Sequence, residues 1–358
     1  MVKLAQVCHG RQNSFHLLRL LAAAAVLFSH CFALLTGDGK SEPLRTAFGC
    51  TPGSIAVDVF FLVSGLLVTI SLVRRASAVD FAKARFFRIW PGLTVAVVLT
   101  VFVLGPVFTR LPLGDYLRAT DTWRYLYRNV ILLRGIDYNL PGVFESNPWA
   151  KAVNGSLWTL PVEVSCYLVL LASWLVLARV NIGIKFERLV AIAWVALLAW
   201  HAYGLATGTL EDSPGRLYFM FCTGSALYLL RDRIRLSWRV LAACVIATGL
   251  SAGHGWLFGV VYSLALPYAM LCLAYLPTGP ILQFNRLGDY SYGTYIYAYP
   301  VQQSFVRLFP ELTSMQLFAG SLAVTLAIAV ISWHVIEKPA LGLVKRRPAP
   351  RAQEAKLA

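Results

Sequence analysis

The sequence predicts an all-α, polytopic membrane protein with about ten transmembrane helices and with both termini in the cytoplasm. Three observations predict this fold class. Of the 358 residues, 58% are apolar and only 14% are charged, whereas about 25% are charged in a soluble domain. Long apolar runs follow one another along the chain, as in helices that cross a bilayer. Lysine and arginine are concentrated in alternate connecting segments.

Ten apolar runs define the predicted helices, and their lengths are close to that of a membrane span. They cover approximately 16–36, 53–73, 91–109, 156–178, 189–207, 215–230, 240–252, 256–276, 290–309 and 316–336. The seventh is short, and it could form a re-entrant pair with the eighth. The seven cysteines are scattered, mostly within these runs, and show no metal-binding spacing. We interpret them as packing residues and expect no metal site.

The charge distribution sets the expected topology. With the N-terminus in the cytoplasm, the cytoplasmic segments carry 21 lysines and arginines and the exterior segments carry 8. This is the asymmetry of the positive-inside rule, and an odd number of helices would break it. Topology therefore explains the net charge of +15, and we expect membrane lipids but no nucleic acid as partners. We expect a cytoplasmic N-terminus at 1–15 and a transmembrane domain at 16–338, with an exterior cap at about 110–155. A disordered basic tail in the cytoplasm is expected at 339–358.

The first helix carries two ionisable residues, Arg19 and His30. Eleven residues are about three helical turns, so both side chains leave nearly the same face, about 16 Å apart along the axis. An intramembrane arginine is costly and usually faces the bundle interior or a wet cavity. The pair therefore predicts one polar path, with Arg19 in the cytoplasmic half and His30 in the exterior half. Alternatively, Arg19 snorkels to the interface and His30 is a hydrogen-bonded core residue.

The second and fourth helices each carry a carboxylate. Asp58 precedes the small residues Ser64 and Gly65, and the alternative to a substrate contact is an interhelical pair with a small-residue packing face. Glu163 is expected at the depth of His30. A carboxylate beside a neutral imidazole is a general-base arrangement, because it fixes the tautomer and stabilises the imidazolium. The alternative for Glu163 is a structural bond to freed backbone or to Trp158.

A basic cluster precedes the third helix, which Pro91 is expected to open. Lys83, Arg85 and Arg88 suit phosphate, since guanidinium groups bind it bidentately and helix N-termini favour anions. The alternative is anchoring to acidic lipid.

Tyrosines line the ninth helix, in the stretch SYGTYIYAYP at 291–300. Core packing explains most of them, and a wall of a ligand channel is the alternative. At the end of the tenth helix, Glu337 and Lys338 are expected to form an interfacial ion pair.

Together these stretches resemble the acyltransferase-3 family of membrane acyltransferases. The shared features occur in family order: Arg19 with His30, FFLVSG at 60–65, Arg-x-x-Arg-Ile-x-Pro at 85–91, GSLWTLPVE at 155–163, SYGTYIYAYP at 291–300 and WHVIEKP at 333–339. The resemblance implies about ten helices and transfer of an acyl group, often acetyl, from cytoplasmic acyl-CoA to a carbohydrate hydroxyl. It also implies a lipid-linked or exported glycan as acceptor, an essential arginine–histidine pair, a basic motif at the CoA end and a bacterial inner membrane.

Two departures from the family pattern matter. Many members have a histidine in the ninth-helix motif where this chain has Ala298, so His30 is expected to act without it. Some members add an exterior hydrolase domain that passes the acyl group on. No Gly-Asp-Ser nucleophile block occurs in this sequence, so we expect the membrane domain to deliver the acyl group itself.

The expected mechanism starts with the phosphates of acetyl-CoA on Lys83, Arg85 and Arg88 and with its arm passing Arg19. His30 then acts as general base with Glu163, or carries the acyl group covalently. Further expected contacts to the substrate or the oxyanion come from Asp58, Ser64, Trp158, Tyr292 and Tyr295. The rival functions are a polytopic transporter and a glycan-assembly protein without transferase chemistry. Transporters usually show internal repeats with paired broken helices, and neither is visible here.

Overall fold

A computed structural model describes residues 1–8, 10, 12–150, 152–179, 185–207 and 213–344. Within these ranges, a helix lies at each of the ten predicted places. Their bounds are α1 Phe15–Thr36, α2 Pro52–Arg75, α3 Ala78–Phe108, α4 Thr159–Arg179, α5 Phe186–Thr207, α6 Pro214–Leu229, α7 Trp238–Leu250, α8 Trp256–Tyr275, α9 Ser291–Leu308 and α10 Ser314–Gly342. We call the end of the bundle where α1 begins the inner end and the end where α1 finishes the outer end.

The helices make this an all-α, polytopic membrane protein. Seven of the described helices are long and apolar enough to cross a membrane, namely α1 to α5, α8 and α10. Large apolar side chains are exposed on their outer faces, where lipid would cover them, including Leu168, Val176, Ile192, Leu264 and Ile331. The helices α6 and α7 have only 16 and 13 residues. Ten membrane crossings and cytoplasmic termini therefore stay predictions.

The third helix begins 13 residues before its expected start, so the prediction that Pro91 opens it was wrong. Ser77 caps α3, with its Oγ accepting a hydrogen bond from the backbone N–H of Asp80 at 3.3 Å. The basic residues that follow are strong helix formers. Pro91 lies inside the helix, where it has no backbone N–H to donate. The basic cluster is therefore held on a helix rather than on a loop.

Close backbone contact joins α2 to α6. A Cβ atom added at Gly65 would lie 1.9 Å from the carbonyl oxygen of Phe221, and one at Gly224 would lie 2.1 Å from that of Leu62. Only glycine fits at both positions, which explains Gly65 of the second helix as part of a packing face.

Helix α1 packs between α2 and α9, and polar side chains fix α9 to its neighbours. Gln302 donates to the carbonyl oxygen of Leu27 at 2.8 Å. Gln303 donates to those of Trp149 and Ala152 at 2.8 and 2.7 Å, which ties α9 to the segment between α3 and α4. These bonds fix the outer half of α9 to the middle of α1 and to the segment before α4.

The expected cap lies between α3 and α4 and contains the short helices Leu113–Arg118 and Thr120–Ile131. Arg124 pairs with Asp137 at 2.6 Å and holds the second helix against the loop after it. At the other end of the bundle, strands β1 Val2–Lys3 and β2 Arg235–Leu236 pair antiparallel. Most of the expected disordered tail, residues 345–358, lies outside the described residues.

Candidate active site

A cavity of about 400 Å³, the arginine cavity, opens between α1, α2, α3, α4 and α9 near the inner end. It brings together four of the charged residues singled out in the sequence, namely Arg19, Arg85, Arg88 and Glu163. Its polar lining includes His16, Arg19, Ser64, Arg85, Arg88, Glu163, Tyr167, Asp289, Tyr292 and Tyr295. Lys83 is exposed and is not part of this lining, because it precedes Arg85 by two residues and so leaves the opposite side of α3.

One carboxylate organises two of the arginines. Asp289, just before α9, lies 2.5 Å from Nη1 of Arg19 and 2.7 Å from Nη2 of Arg88. Burial opposes ionisation of Asp289, but the two guanidinium groups outweigh it and hold the pKa of this carboxyl well below its ordinary value. Glu337 lies 3.8 Å from Nη1 of Arg88 and accepts a hydrogen bond from Ser332, so it faces Arg88.

Glu163 belongs to a second group of the arginine cavity. It accepts hydrogen bonds from Ser64, at 3.1 Å, and from Tyr167. The guanidinium of Arg85 stacks over the Tyr167 ring at 5.7 Å. Among the described residues, Arg85 has no ion pair, and its buried Nε atom has no hydrogen-bond partner. This leaves Arg85 available to an anionic ligand, whereas Arg19 and Arg88 are already bonded to Asp289.

His30 lies in a different place, which we call the histidine cavity. It has two lobes of about 410 and 240 Å³, and His30, Glu42, Trp149 and Trp158 line both. The His30 ring meets the Tyr299 ring edge-on at 5.1 Å, and its buried Nδ1 atom has no partner among the described residues. The cavity lies toward the outer end, since His30 is in the last third of α1.

The segment before α4 is shaped to fit this cavity. A Cβ atom at position 155 would lie 2.7 Å from the Tyr299 ring, so only glycine allows the ring to approach. Asn154 donates to the carbonyl oxygen of Ile296 at 2.9 Å and fixes the segment to α9. These contacts give a packing reason for the GSLW motif and place Trp158 beside His30.

The structure does not bring His30 and Glu163 into one cavity. Trp158, which shares the cavity of His30, precedes Glu163 by five residues, or about 7 Å along a helix. Glu163 therefore lies deeper than expected. The carboxylate that shares both lobes with His30 is Glu42, which also accepts a hydrogen bond from Ser29. Sequence reasoning missed it because a glutamate in a polar loop looks solvent-exposed.

The arginine cavity and the histidine cavity share a wall, which we call the septum. Val57 and Tyr295 line both the arginine cavity and the smaller lobe of the histidine cavity. The Tyr295 hydroxyl is hydrogen-bonded to Thr159 at 2.8 Å, and its ring meets Phe60 at 5.6 Å. Val57 and Tyr295 therefore stand between the arginine cavity and the lobe that contains His30.

Two further expected site residues have partners of their own. Asp58 is fully buried, accepts a hydrogen bond from Tyr262 at 2.7 Å and lies 3.4 Å from Nε of Arg216. This is the interhelical pairing considered as the alternative for Asp58, and Asp58 lines none of the cavities described here. The Tyr292 hydroxyl donates to the carbonyl oxygen of Ile89 at 2.8 Å within the arginine cavity.

Comparisons with known proteins identify the family of this chain. The profile of a family described as acyltransferase domain matches residues 12–334. An O-acetyl transferase of Shigella phage Sf6 is 28% identical over 342 residues, which cover 92% of this chain and 96% of the relative. Nodulation protein 10 of Rhizobium leguminosarum bv. viciae is 28% identical over 379 residues, covering 93% and 94%. No solved structure matches the chain. Because the family profile covers almost all of the sequence, the chain belongs to the acyltransferase-3 family of membrane acyltransferases.

Proposed function

We propose that the protein transfers an acyl group, most simply acetyl, from cytoplasmic acyl-CoA to a hydroxyl of a carbohydrate on the far side of a bacterial inner membrane. The observation that carries this proposal is the septum. A guanidinium-lined cavity at the inner end and a histidine-lined cavity at the outer end share Val57 and Tyr295 as a common wall. Two substrates held in these cavities would come from opposite ends of the bundle and meet at that wall.

The arginine cavity suits the donor. The phosphates of acyl-CoA need cationic, bidentate donors, and Arg85 offers a guanidinium without an ion pair in the described part of the chain. The arm of the donor would then pass Arg19 toward the septum. In this scheme Glu163 balances the charge of the arginines and orders Ser64 and Tyr167, and it does not act on His30.

The histidine cavity suits the acceptor. Its walls include Trp149, Trp158 and Tyr299, whose flat faces match the C–H faces of sugar rings. His30 removes the proton from the attacking hydroxyl, and Glu42 balances the imidazolium that forms. The hydroxyl oxygen bonds to the thioester carbon, the sulfur leaves as the CoA thiolate, and the proton on His30 neutralises it. The name of the phage relative, O-acetyl transferase, supports acetyl as the group transferred.

Purified protein in lipid nanodiscs tests the proposal. We expect wild-type protein to move radiolabelled acetyl from acetyl-CoA to a deacetylated extracellular glycan of the bacterium that produces it. His30→Ala should lose at least 99% of this activity, since general-base help is typically worth a factor of about 10²–10⁴. His334→Ala, at an exposed histidine of α10, is the matched control and should keep full activity. Full activity of folded His30→Ala, or no transfer by the wild type, would overturn the proposal.

The two ends can be tested separately. Arg85→Ala should raise the KM for acetyl-CoA about 10- to 100-fold with a smaller effect on kcat, because it removes a charge-assisted contact to phosphate. Arg239→Ala, at an exposed arginine of α7, should not change this KM. Glu42→Gln should lower kcat and leave the KM for acetyl-CoA unchanged, and exposed Glu311→Gln is its control. If Glu42→Gln raised the KM for acetyl-CoA and Arg85→Ala did not, the donor would bind in the histidine cavity and the acceptor in the arginine cavity.

A further inference from the structure

The smaller lobe of the histidine cavity contains two arginines to which the proposed reaction gives no role. Its lining includes Arg45 and Arg216 beside His30 and Glu42. Arg45 belongs to a helix of only four residues in the segment before α2, whereas Arg216 lies in the first turn of α6. Both arginines therefore line, together with His30, a volume of only about 240 Å³.

Arg216 is paired with a buried carboxylate. Asp58 of α2 is 0% exposed, and its Oδ1 atom lies 3.4 Å from Nε of Arg216. Its other oxygen, Oδ2, accepts a hydrogen bond from the Tyr262 hydroxyl of α8 at 2.7 Å. The two oxygens thus have separate partners, and α8 holds the carboxylate that faces Arg216. The side chain of Arg216 is 16% exposed and that of Asp58 is not exposed at all, so only the arginine of this pair lines the lobe.

The septum lies next to this pair. Val57 lines both the arginine cavity and the smaller lobe, and Asp58 is the next residue of α2. Successive residues leave a helix about 100° apart, so Val57 faces the septum while Asp58 faces α6 and α8. Arg216 is therefore tied to α2 one residue from the wall at which, under the proposed function, the thioester meets the acceptor.

The proposed reaction separates charge in this lobe. The acceptor oxygen bonds to the thioester carbon while His30 takes its proton, and the carbonyl π electrons move onto the carbonyl oxygen. The intermediate then contains an imidazolium, which Glu42 balances, and an oxyanion, which needs donors of its own. When the oxyanion electrons form the carbonyl bond again, the carbon–sulfur bond breaks and the CoA thiolate takes the proton from His30.

We infer that Arg216 is a catalytic residue that donates hydrogen bonds to this oxyanion, and that Asp58 is a positioning residue that acts through Arg216. The inference rests on the proposed function and adds the group that stabilises its intermediate. A guanidinium that faces Asp58 with Nε still has other N–H groups for the lobe, because its five donors form a rigid planar fork. We assign the role to Arg216 rather than to Arg45 because an oxyanion donor must be preorganised, and Asp58 fixes Arg216 within the bundle.

The test measures acetyl transfer by nanodisc-embedded protein. Arg216→Ala should lower kcat about 10²- to 10³-fold, which is the usual cost of losing one oxyanion donor, and should leave the KM for acetyl-CoA unchanged. Arg216→Lys keeps a charge opposite Asp58, so it should fold like the wild type, but it should still lower kcat about tenfold because an ammonium group is not a planar fork. Arg307→Ala, at an exposed arginine in the last turn of α9, is the matched control and should keep full activity.

Chemical rescue separates a catalytic role of Arg216 from a structural one. Methylguanidinium ions added to Arg216→Ala should raise kcat about tenfold, and methylammonium ions at the same concentration should not, because only the former reproduce the planar fork. A loss of activity that came from a damaged fold would respond to neither cation. Thermal unfolding of each variant in detergent shows directly whether the fold is intact.

Asp58→Asn tests the positioning role. It should lower kcat about tenfold by itself and have no further effect in the Arg216→Ala background, because it acts through that side chain. Wild-type kcat in the folded variants at position 216, or a loss seen only in the KM for the acceptor, would overturn the role of Arg216. Additive losses in the double variant would overturn the role of Asp58. No transfer by the wild type, or full activity of His30→Ala, would instead refute the proposed function.

Discussion

The septum between the two cavities can be weakened at one residue, Tyr295. This side chain is 8% exposed, and together with Val57 it separates the arginine cavity from His30. Under the proposed function, a thioester held in the arginine cavity would reach the acceptor once the Tyr295 ring moves aside. The Tyr295→Phe substitution removes its hydrogen bond to Thr159, at 2.8 Å, and leaves the ring in place.

The size of the effect follows from the two contacts that hold the ring. The hydrogen bond contributes about 1 kcal/mol and the edge-on contact with Phe60 about 1 kcal/mol. If these two contacts alone set the balance, the closed position would be favoured by about 2 kcal/mol and the septum would be open in about 3% of molecules. Removing the hydrogen bond leaves about 1 kcal/mol and raises the open fraction about fivefold. Tyr295→Ala removes the ring and leaves the septum open.

The assay is release of free CoA from acetyl-CoA when no acceptor is present, in nanodisc-embedded protein. Water that enters through an open septum hydrolyses the thioester, so we expect release to rise about fivefold in Tyr295→Phe, in proportion to the open fraction, and further in Tyr295→Ala. Tyr297→Phe is the control, because Tyr297 leaves α9 on the opposite side and is hydrogen-bonded to Ser332. If all three variants released CoA at the wild-type rate, Tyr295 would not separate donor from water.

Three further predictions concern stability, measured as thermal unfolding in detergent. Gly65→Ala should destabilise the protein by about 1–3 kcal/mol, because the added Cβ atom would meet the backbone of Phe221. Gly249→Ala is the control and should not destabilise it, because no atom lies within 4 Å of the added Cβ. Equal melting temperatures of the two variants would contradict the close α2–α6 contact. Asp289→Asn should cost about 3 kcal/mol because it removes the counter-charge shared by two partly buried guanidinium groups, and exposed Asp232→Asn should have no such effect. Because the folded-state pKa of Asp289 lies below its ordinary value of 3.8, its ion pairs contribute fully above that pH and weaken as the pH falls further, so a stability loss already complete at pH 5 would refute this assignment.

Hydropathy located the helices well because a membrane span is a local property of the sequence. Each of the ten apolar runs is helical, and the seventh, singled out as short, is only 13 residues long. The predicted start of α3 at Pro91 was wrong, and the reason is also local. A proline was treated as a beginning, although the helix-forming residues before it and the cap at Ser77 extend the helix upstream.

The charged residues were harder to place, because their partners are distant in sequence. Asp289 is 270 residues from Arg19 and 201 from Arg88, so no local pattern connects them. The signal that could have found it is charge balance, since a buried arginine requires a carboxylate. Asp289, directly before the tyrosine motif, is the acidic residue nearest to the expected inner end of the ninth helix.

Charge balance also changes how the basic motif of α3 should be understood. Arg88 is committed to Asp289, together with Arg19, and so it holds α1, α3 and α9 at fixed distances. Arg85 lies on the same helix, stacks on Tyr167 and has no ion pair in the described part of the chain. Two arginines three residues apart therefore have different surroundings, because Arg88 is paired with Asp289 and Arg85 has no ion pair among the described residues. In the sequence motif, both residues are simply positive charges. The positions of the carboxylates in the fold determine which arginine is paired.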